Sequence, residues 1–232
     1  MKRAGFASYS DLERRIVQTA DGSLTLQLPA WQEQYHSLHG AVQESFHVFI
    51  QHGLHSIARQ EISLLELGFG TGLNALITYL EASKRGLTIS YTGLEAYPVT
   101  PAEWEALDYG SLFTEPDAGA IFRALHEAPW ETGFPIAQDF RLHKRLMDFK
   151  DLSDSEAFDL VYFDAFGARV QPELWTEAIF ASVFRALRPG GCLVTYAAKG
   201  SVRRAMQAVG FRVERLPGPP GKREMMRAWR QG

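Results

Sequence analysis

Cysteine occurs once in the 232 residues, as Cys192. A single thiol excludes a disulfide framework and a thiolate metal cluster, and the apolar run Cys192-Leu193-Val194-Thr195-Tyr196 predicts a small buried strand residue. That usage suits a reducing cytoplasm, where the chain is expected to reside. No apolar run approaches the ~20 residues that cross a bilayer. Met1-Lys2-Arg3-Ala4-Gly5 leads into polar sequence and no hydrophobic signal segment, so neither membrane association nor export is expected. His36 and His39 have no cysteine or acidic companion at ligand spacing, and no metal is expected. Repeats, low-complexity tracts and interdomain linkers are also missing, which leaves one α/β-sized unit with no implied obligate protein partner.

Net charge is small, at −3, but it is unevenly placed. From Lys199 onward nine basic residues face two acidic ones, a local +7 that leaves −10 on the remainder. Such asymmetry fits a polyanionic partner, and equally a basic but merely solvated face.

Strand and helix patterns alternate along the chain. Ile62 to Gly68 is a short β-prone run that stops at glycines, and Leu73 to Ser83 follows with helical spacing. Thr88 to Leu94 is a second strand ending at Glu95, followed by Pro98, Pro101 and a helix around 102–107. Arg141 to Met147 ends at Asp148, and the apolar Phe158 to Phe163 ends at Asp164. A helix is predicted from Pro172 to Leu187, then a sharp Pro189-Gly190-Gly191 turn into a strand from Cys192 to Ala197, and a helix from Val202 to Val209. Phe211 to Leu216 and Glu224 to Trp229 are expected to pair antiparallel, because the linking Pro217-Gly218-Pro219-Pro220-Gly221 has no helical pattern. The alternation implies a mostly parallel, doubly wound sheet with an antiparallel C-terminal strand, in which ligands bind beyond the carboxyl ends of the strands. We divide the chain into an N-terminal segment, 1–60, that covers the active site, and a core, 61–232, with a helical insertion at about 101–140.

Four acids end four of these strands or begin their turns. In Glu66-Leu67-Gly68-Phe69-Gly70-Thr71-Gly72 the glycines alternate, which lets backbone amides approach a ligand at the start of a helix. A dinucleotide turn needs its third glycine one residue later, where this chain has Leu73. S-adenosylmethionine (SAM) instead presents a ribose diol, an adenine amine, an ammonium and a sulfonium, all of which suit carboxylates. Glu95 is placed to accept from the ribose hydroxyls, Asp148 from the adenine amine, and Glu66 to act at the amino-acid end directly or through water. These features predict a Rossmann-like class I SAM-dependent methyltransferase. Asp164 follows a strand too apolar to hold it inside and is expected to project into the catalytic crevice. The DNA amino-methyltransferases that carry Pro-Pro-aromatic after the corresponding residue are disfavoured by Ala165-Phe166-Gly167.

The sequence resembles one family closely. Asp21-Gly22-Ser23, Tyr35 to Ala41 with Glu44-Ser45, Glu66 to Asn74, Phe163 to Phe166, Gln171 to Thr176, Ala198 to Arg204 and Leu216 to Met225 are similar to the tRNA 5-methylaminomethyl-2-thiouridine methyltransferases. These comprise stand-alone MnmD and the methyltransferase half of bifunctional MnmC. The similarity covers nearly the whole chain except 101–140, and departs where many relatives have Ala-Pro and this chain has Gly167-Ala168. The resemblance implies methyl transfer from SAM to the exocyclic amine of 5-aminomethyluridine at the tRNA wobble position. It places Phe69, Thr71 and Asn74 with the glycine turn at the cofactor, and Tyr35, His36, Ser37, His39 and Phe166 at the substrate or in a lid. An oxidase domain follows in bifunctional relatives; none is expected here, and no FAD. Lys199, Arg203, Arg204, Lys222 and Arg223 are candidate phosphate contacts. Two other readings stay open at this point, a SAM enzyme acting on a small-molecule amine and a non-catalytic RNA-binding domain of the same fold.

Overall fold

In the computed structural model, which describes residues 13–232, alternation of buried apolar side chains sets the architecture. Strand β4 (Glu61–Leu67) shows the principle: Leu64 packs with one apolar cluster and Leu65 with another, on opposite faces of the sheet. Strand β8 (Phe158–Phe163) is buried at every position, as a central parallel strand covered on both faces must be. Each fully buried Leu or Val there contributes about 1.5–3 kcal/mol relative to exposure.

The chain enters through β1 (Arg15–Gln18), β2 (Leu24–Leu28) and β3 (Glu33–Gln34), a small antiparallel sheet of its own. Helix α1 (Ala41–Ser45) then runs on as a wider π-type turn over Phe46–Gln51. After β4 come α2 (Leu73–Arg85), β5 (Thr88–Glu95), α3 (Pro101–Leu107), α4 (Ala118–Glu127), β6 (Gly133–Ala137) and β7 (Phe140–Leu146). Beyond β8 the chain continues with α5 (Glu177–Ala186), β9 (Leu187–Thr195), α6 (Gly200–Ala208), β10 (Phe211–Pro217) and β11 (Glu224–Arg230).

Among the described residues, eight strands form the main sheet in the order β10-β11-β9-β8-β4-β5-β7-β6. The five from β9 to β7 are parallel, while β11 runs antiparallel to β9 and to β10. Successive strands move outward from β4 first toward β7 and later toward β9. The reversal leaves a crevice beyond the carboxyl ends of β4 and β8, where an α/β sheet binds ligands.

Three local expectations are corrected. The insertion at 101–140 is helical in α3 and α4, but it closes with β6, an antiparallel edge strand on β7. Helix α3 starts sharply because Thr100 and Glu103 form a reciprocal capping box ahead of Pro101. The predicted helix from Pro172 is a 3-10 turn, Pro172–Trp175, and the α-helix begins only at Glu177. Pro189-Gly190-Gly191 does not precede the strand but lies within β9, where the pairing with β8 shifts register between Phe158 and Leu160. Cys192 is fully buried in β9, as its apolar run implied.

The N-terminal segment 1–60 reaches the crevice through its later residues, and residues 1–12 lie outside the described ones. No helix among the described residues is long and apolar enough to cross a membrane.

Candidate active site

A cavity of about 810 Å³, open to solvent, occupies the crevice. Its floor is the turn after β4. Gly68, Gly70 and Gly72 have φ of 96°, 49° and 74°, a left-handed path that glycine follows without strain. At Gly68 a second constraint applies, since a Cβ there would lie 2.5 Å from the Asp164 carbonyl oxygen. That approach exists because β4 and β8 pair in parallel up to Leu67 and Phe163, and the Asp164 amide then donates to the Leu67 carbonyl at 3.0 Å. The register of two strands therefore brings the glycine turn and Asp164 together.

Of the residues the sequence assigned to the cofactor, Gly68, Phe69, Gly70 and Thr71 line the cavity from the turn, and Asn74 from the start of α2. Glu95 and Asp148 line it from the ends of β5 and β7. The Gly70 amide donates to Glu95 Oε2 at 3.0 Å and the Tyr97 amide to Oε1 at 2.9 Å. Each carboxylate oxygen keeps a lone pair for an incoming hydroxyl. Burial raises the Glu95 pKa, against the pull of these amides. Asp148 accepts from the Lys150 amide at 3.0 Å and pairs with the Lys150 ammonium at 3.2 Å.

Glu66 and Gly72 do not reach the cavity. Glu66 is fully buried beneath Asn74, whose Nδ2 donates to Glu66 Oε1 at 2.8 Å, while the Tyr91 hydroxyl donates to Oε2 at 2.7 Å. Glu66 therefore meets the cavity only through the Asn74 side chain. Burial holds the Glu66 carboxyl well above the ordinary carboxylate range despite the two donors. Gly72 caps α2 and faces the His126 ring.

The other hydrogen of Asn74 goes to Asp164 Oδ2, again at 2.8 Å. Asn74 Oδ1 is left buried with no hydrogen-bond partner among the described residues. An unpaired buried acceptor is costly, so this atom suits a ligand that brings a donor such as an ammonium. The Glu95 lone pairs suit a diol in the same way, and the donor set fits SAM. Asp164 is pushed up to about 7, first by burial and then by the Glu44 charge, against the Asn74 hydrogen bond and the Lys222 charge.

Tyr35, His36 and Phe166 complete the mouth of the cavity. Phe166 meets the edges of Tyr35 and Trp31 at centroid distances of 5.0 and 5.9 Å. His36 is buried against Thr25, with Nδ1 3.2 Å from the Thr25 hydroxyl, and burial lowers its pKa to about 4. Ser37 and His39 are not in the cavity wall. The Ser37 amide donates to Glu44 Oε2 at 2.7 Å, and His39 packs against Gly221.

The basic residues after Lys199 divide into two groups. Arg212, Arg215, Arg227 and Arg230 are ion-paired to Glu214, Glu224, Glu214 and Glu156. Lys199, Arg204 and Arg223 are exposed and enter no ion pair among the described residues, while Arg203 is half-buried with an unpartnered Nε. Lys222 does not point outward with them: its ammonium donates to Glu44 Oε1 and lies 3.8 Å from the centre of the Tyr196 ring.

Tyr97, Phe149, Tyr196 and Glu44 are among the residues at the site that carried no assigned role in the sequence. Tyr97 and Phe149 line the cavity one or two positions beyond the strand-end acids Glu95 and Asp148, and Tyr196 lines it just beyond β9. The rule that picked out those acids, extended past each strand end, finds all three. Glu44 had no such signal, because it reaches Lys222 across 178 positions of sequence.

A family described as S-adenosyl-L-methionine-dependent methyltransferase matches residues 131–231. The fold is the Rossmann-like class I fold of SAM-dependent methyltransferases. The chain is 31% identical over 217 residues to the tRNA 5-methylaminomethyl-2-thiouridine biosynthesis bifunctional protein MnmC of Cupriavidus necator, covering 85% of this chain and 32% of that protein. MnmC of Aromatoleum aromaticum is 30% identical, over 92% of this chain and 35% of the relative. The crystal structure of MNMC2 from Aquifex aeolicus superposes with a TM-score of 0.75 at 25% identity, over 96% of this chain and 72% of that one. Spermidine synthase from Thermotoga maritima shares the fold, with a TM-score of 0.59 at 13% identity. The family resemblance read from the sequence is borne out: this chain is a relative of the MnmC/MnmD methyltransferases. It spans about a third of the length of the curated MnmC relatives it matches.

Proposed function

We propose that the chain methylates the exocyclic amine of 5-aminomethyl(-2-thio)uridine at the wobble position of tRNA, giving the 5-methylaminomethyl form. The observation that carries this reading is Asp164, held by Asn74 at the switch point of the sheet and sharing one cavity with the glycine turn. Similarity to proteins named for tRNA 5-methylaminomethyl-2-thiouridine biosynthesis supports the choice of acceptor. A reaction on tRNA would take place in the cytoplasm.

SAM supplies an electrophilic methyl group on a sulfonium. The chain's residues hold and orient. Glu95 would accept from the ribose hydroxyls, Asp148 from the adenine amine, and Asn74 Oδ1 from the ammonium. Asp164 accepts an N–H of the acceptor amine and so aims the nitrogen lone pair at the methyl carbon. With SAM bound, its sulfonium would give up the methyl group to the amine nitrogen, and Asp164 would take up the proton that this nitrogen sheds. A carboxylate that titrates near neutrality is matched to that proton transfer. Phe166, Tyr35 and His36 form the wall against which the uracil ring would pack. Ser37 acts one step back, by orienting Glu44, and His39 by supporting the Lys222 loop. Lys199, Arg203, Arg204 and Arg223 would meet phosphates beside the crevice.

Labelled SAM incubated with tRNA lacking the wobble methyl group, followed by nucleoside analysis, tests the reading. Label in 5-methylaminomethyluridine is the expected result. Label elsewhere, or on no nucleoside, overturns it.

A further inference from the structure

Behind the cavity wall lies an ion pair that the reading above leaves without a task. Glu44, at 6% exposure, accepts from the Ser37 amide and from the Lys222 ammonium. Lys222 arrives on the loop between β10 and β11, held by its amide donating to the Pro219 carbonyl at 2.9 Å and by Gly218, whose amide donates to the Arg223 carbonyl at 3.2 Å. Its ammonium lies on the face of Tyr196, whose hydroxyl donates to the Ala165 carbonyl at 2.6 Å. Tyr196, Ala165 and Asp164 all line the cavity, so one aromatic ring separates the ammonium from the wall that carries Asp164. Fixing a lysine side chain costs up to about 2 kcal/mol of conformational entropy, and a partly desolvated pair recovers little of it as stability. Stability alone gives no reason to hold a cation there.

The chemistry of the acceptor gives one. A carboxylate beside an amine favours the protonated form, which has no lone pair to attack with. The charged and titratable groups around this end of the cavity are Asp164 after β8, Glu66 beneath Asn74, whose charged form burial disfavours, Asp21 in the turn before β2, Glu44 on α1, Glu33 on β3 paired with Arg169, and Lys222. The histidines His36 and His39 face the same region, His36 buried and His39 against the loop. With Glu33 matched by Arg169, Lys222 is the cation that stands against Asp164 and Glu44.

We propose that Lys222 is an electrostatic positioning residue of the acceptor site: pinned by Glu44 over Tyr196, its ammonium offsets the two carboxylates so that the acceptor amine enters as the neutral nucleophile. This rests on the proposed function in taking the acceptor to be an amine. The opposed influences of Glu44 and Lys222 on the Asp164 carboxyl, upward and downward respectively, accord with it.

The test uses Lys222→Met and Glu44→Gln, with Lys222→Arg as the charge-conserving variant. The pH dependence of kcat/KM is measured with aminomethyluridine-containing tRNA, and Asp164 is titrated by carboxyl-carbon NMR without acceptor. Removing the cation should move the acid limb up by about one pH unit, and removing the anion should move it down by a similar amount. Lys222→Arg should keep the wild-type limb. The Asp164 titration should shift in the same two directions. Opposed shifts are a signature that a loosened loop does not produce, and thermal unfolding with SAM calorimetry identifies any variant that has lost its fold. Limbs and titrations that stay put, or move the same way in both variants, overturn the proposal. If the wild type transfers no methyl to this amine, the proposed function fails by itself, and the Asp164 titrations still decide whether Lys222 and Glu44 set the charge balance of the site.

Discussion

Asn74 ties Asp164 to the buried Glu66 by giving one amide hydrogen to each, both at 2.8 Å. The arrangement fixes the Asp164 carboxylate at one oxygen, and the proposed acceptor amine would meet the other. Replacing Asp164 by alanine should lower turnover by about 10²–10⁴-fold while changing the SAM dissociation constant little. Asp164→Asn keeps a hydrogen-bonding side chain but takes up no proton, and should fall between wild type and alanine. Single-turnover kinetics beside SAM calorimetry separate these effects, and equal loss of binding and turnover would show a structural role instead.

Asn74→Ala removes both bonds at once and leaves Glu66 with the Tyr91 hydroxyl alone. A cost of about 1–3 kcal/mol in denaturant unfolding is expected for the stranded group. SAM affinity should drop as well, because the buried Oδ1 acceptor is lost with the amide. Unchanged SAM affinity would mean that this oxygen does not meet the ligand.

Gly68→Ala should abolish SAM binding and destabilise the fold by about 1–3 kcal/mol, since the added carbon must leave both a φ of 96° and a 2.5 Å clash with the Asp164 carbonyl. Gly86→Ala serves as the comparison. Its φ is 63°, but a Cβ there meets nothing within 4 Å, so it should lose stability without losing SAM.

The raised Asp164 pKa has a defined sign for stability. Its folded value of about 7 exceeds the ordinary 3.8, so between those values the folded protein binds more protons than the unfolded chain. The contribution is present below about pH 4 and is lost as pH rises through 7. Asp164→Asn should therefore be more stable than wild type above pH 7, by a few degrees in Tm, with the gain fading toward pH 4. A gain that is constant across this range would place the shift elsewhere.

Lys199, Arg204 and Arg223 are the exposed cations of the candidate tRNA face. Neutralising each should weaken tRNA binding and reduce the slope of log affinity against log salt by about one. Neutralising Arg212, already paired with Glu214, should leave the slope unchanged. Equal effects from all four would argue against a localised face.

Much of this site was legible in the residue order. A period of two in strands and 3.6 in helices identified the core strands, and an acid that ends an apolar strand has nowhere to go but the crevice. Glu95, Asp148 and Asp164 were located this way, and Tyr35, His36 and Phe166 by resemblance. Legibility ended where a choice depended on a partner far along the chain. Glu66 has the same local pattern as the other strand-end acids, but it lies one position before the strand's last residue, and the pleat turns it beneath Asn74 and Tyr91. Lys222 reads as one more cation in a basic run, and only packing of its loop against α1 shows that it points inward. Strand β6 was obscured by Pro135 and by its edge position, where one face carries little apolar signal.

The sequence by itself determined the doubly wound sheet, the glycine turn with its preference for SAM over a dinucleotide, and the strand-end acids, because each depends on local stereochemistry and burial periodicity. The tertiary structure alone decided which of those acids reach the cavity, how Asn74 joins Glu66 to Asp164, and that Glu44 and Lys222 meet over Tyr196. Those are relations between side chains separated by up to 178 positions, and they exist only once parallel strand register and loop packing have brought the segments together.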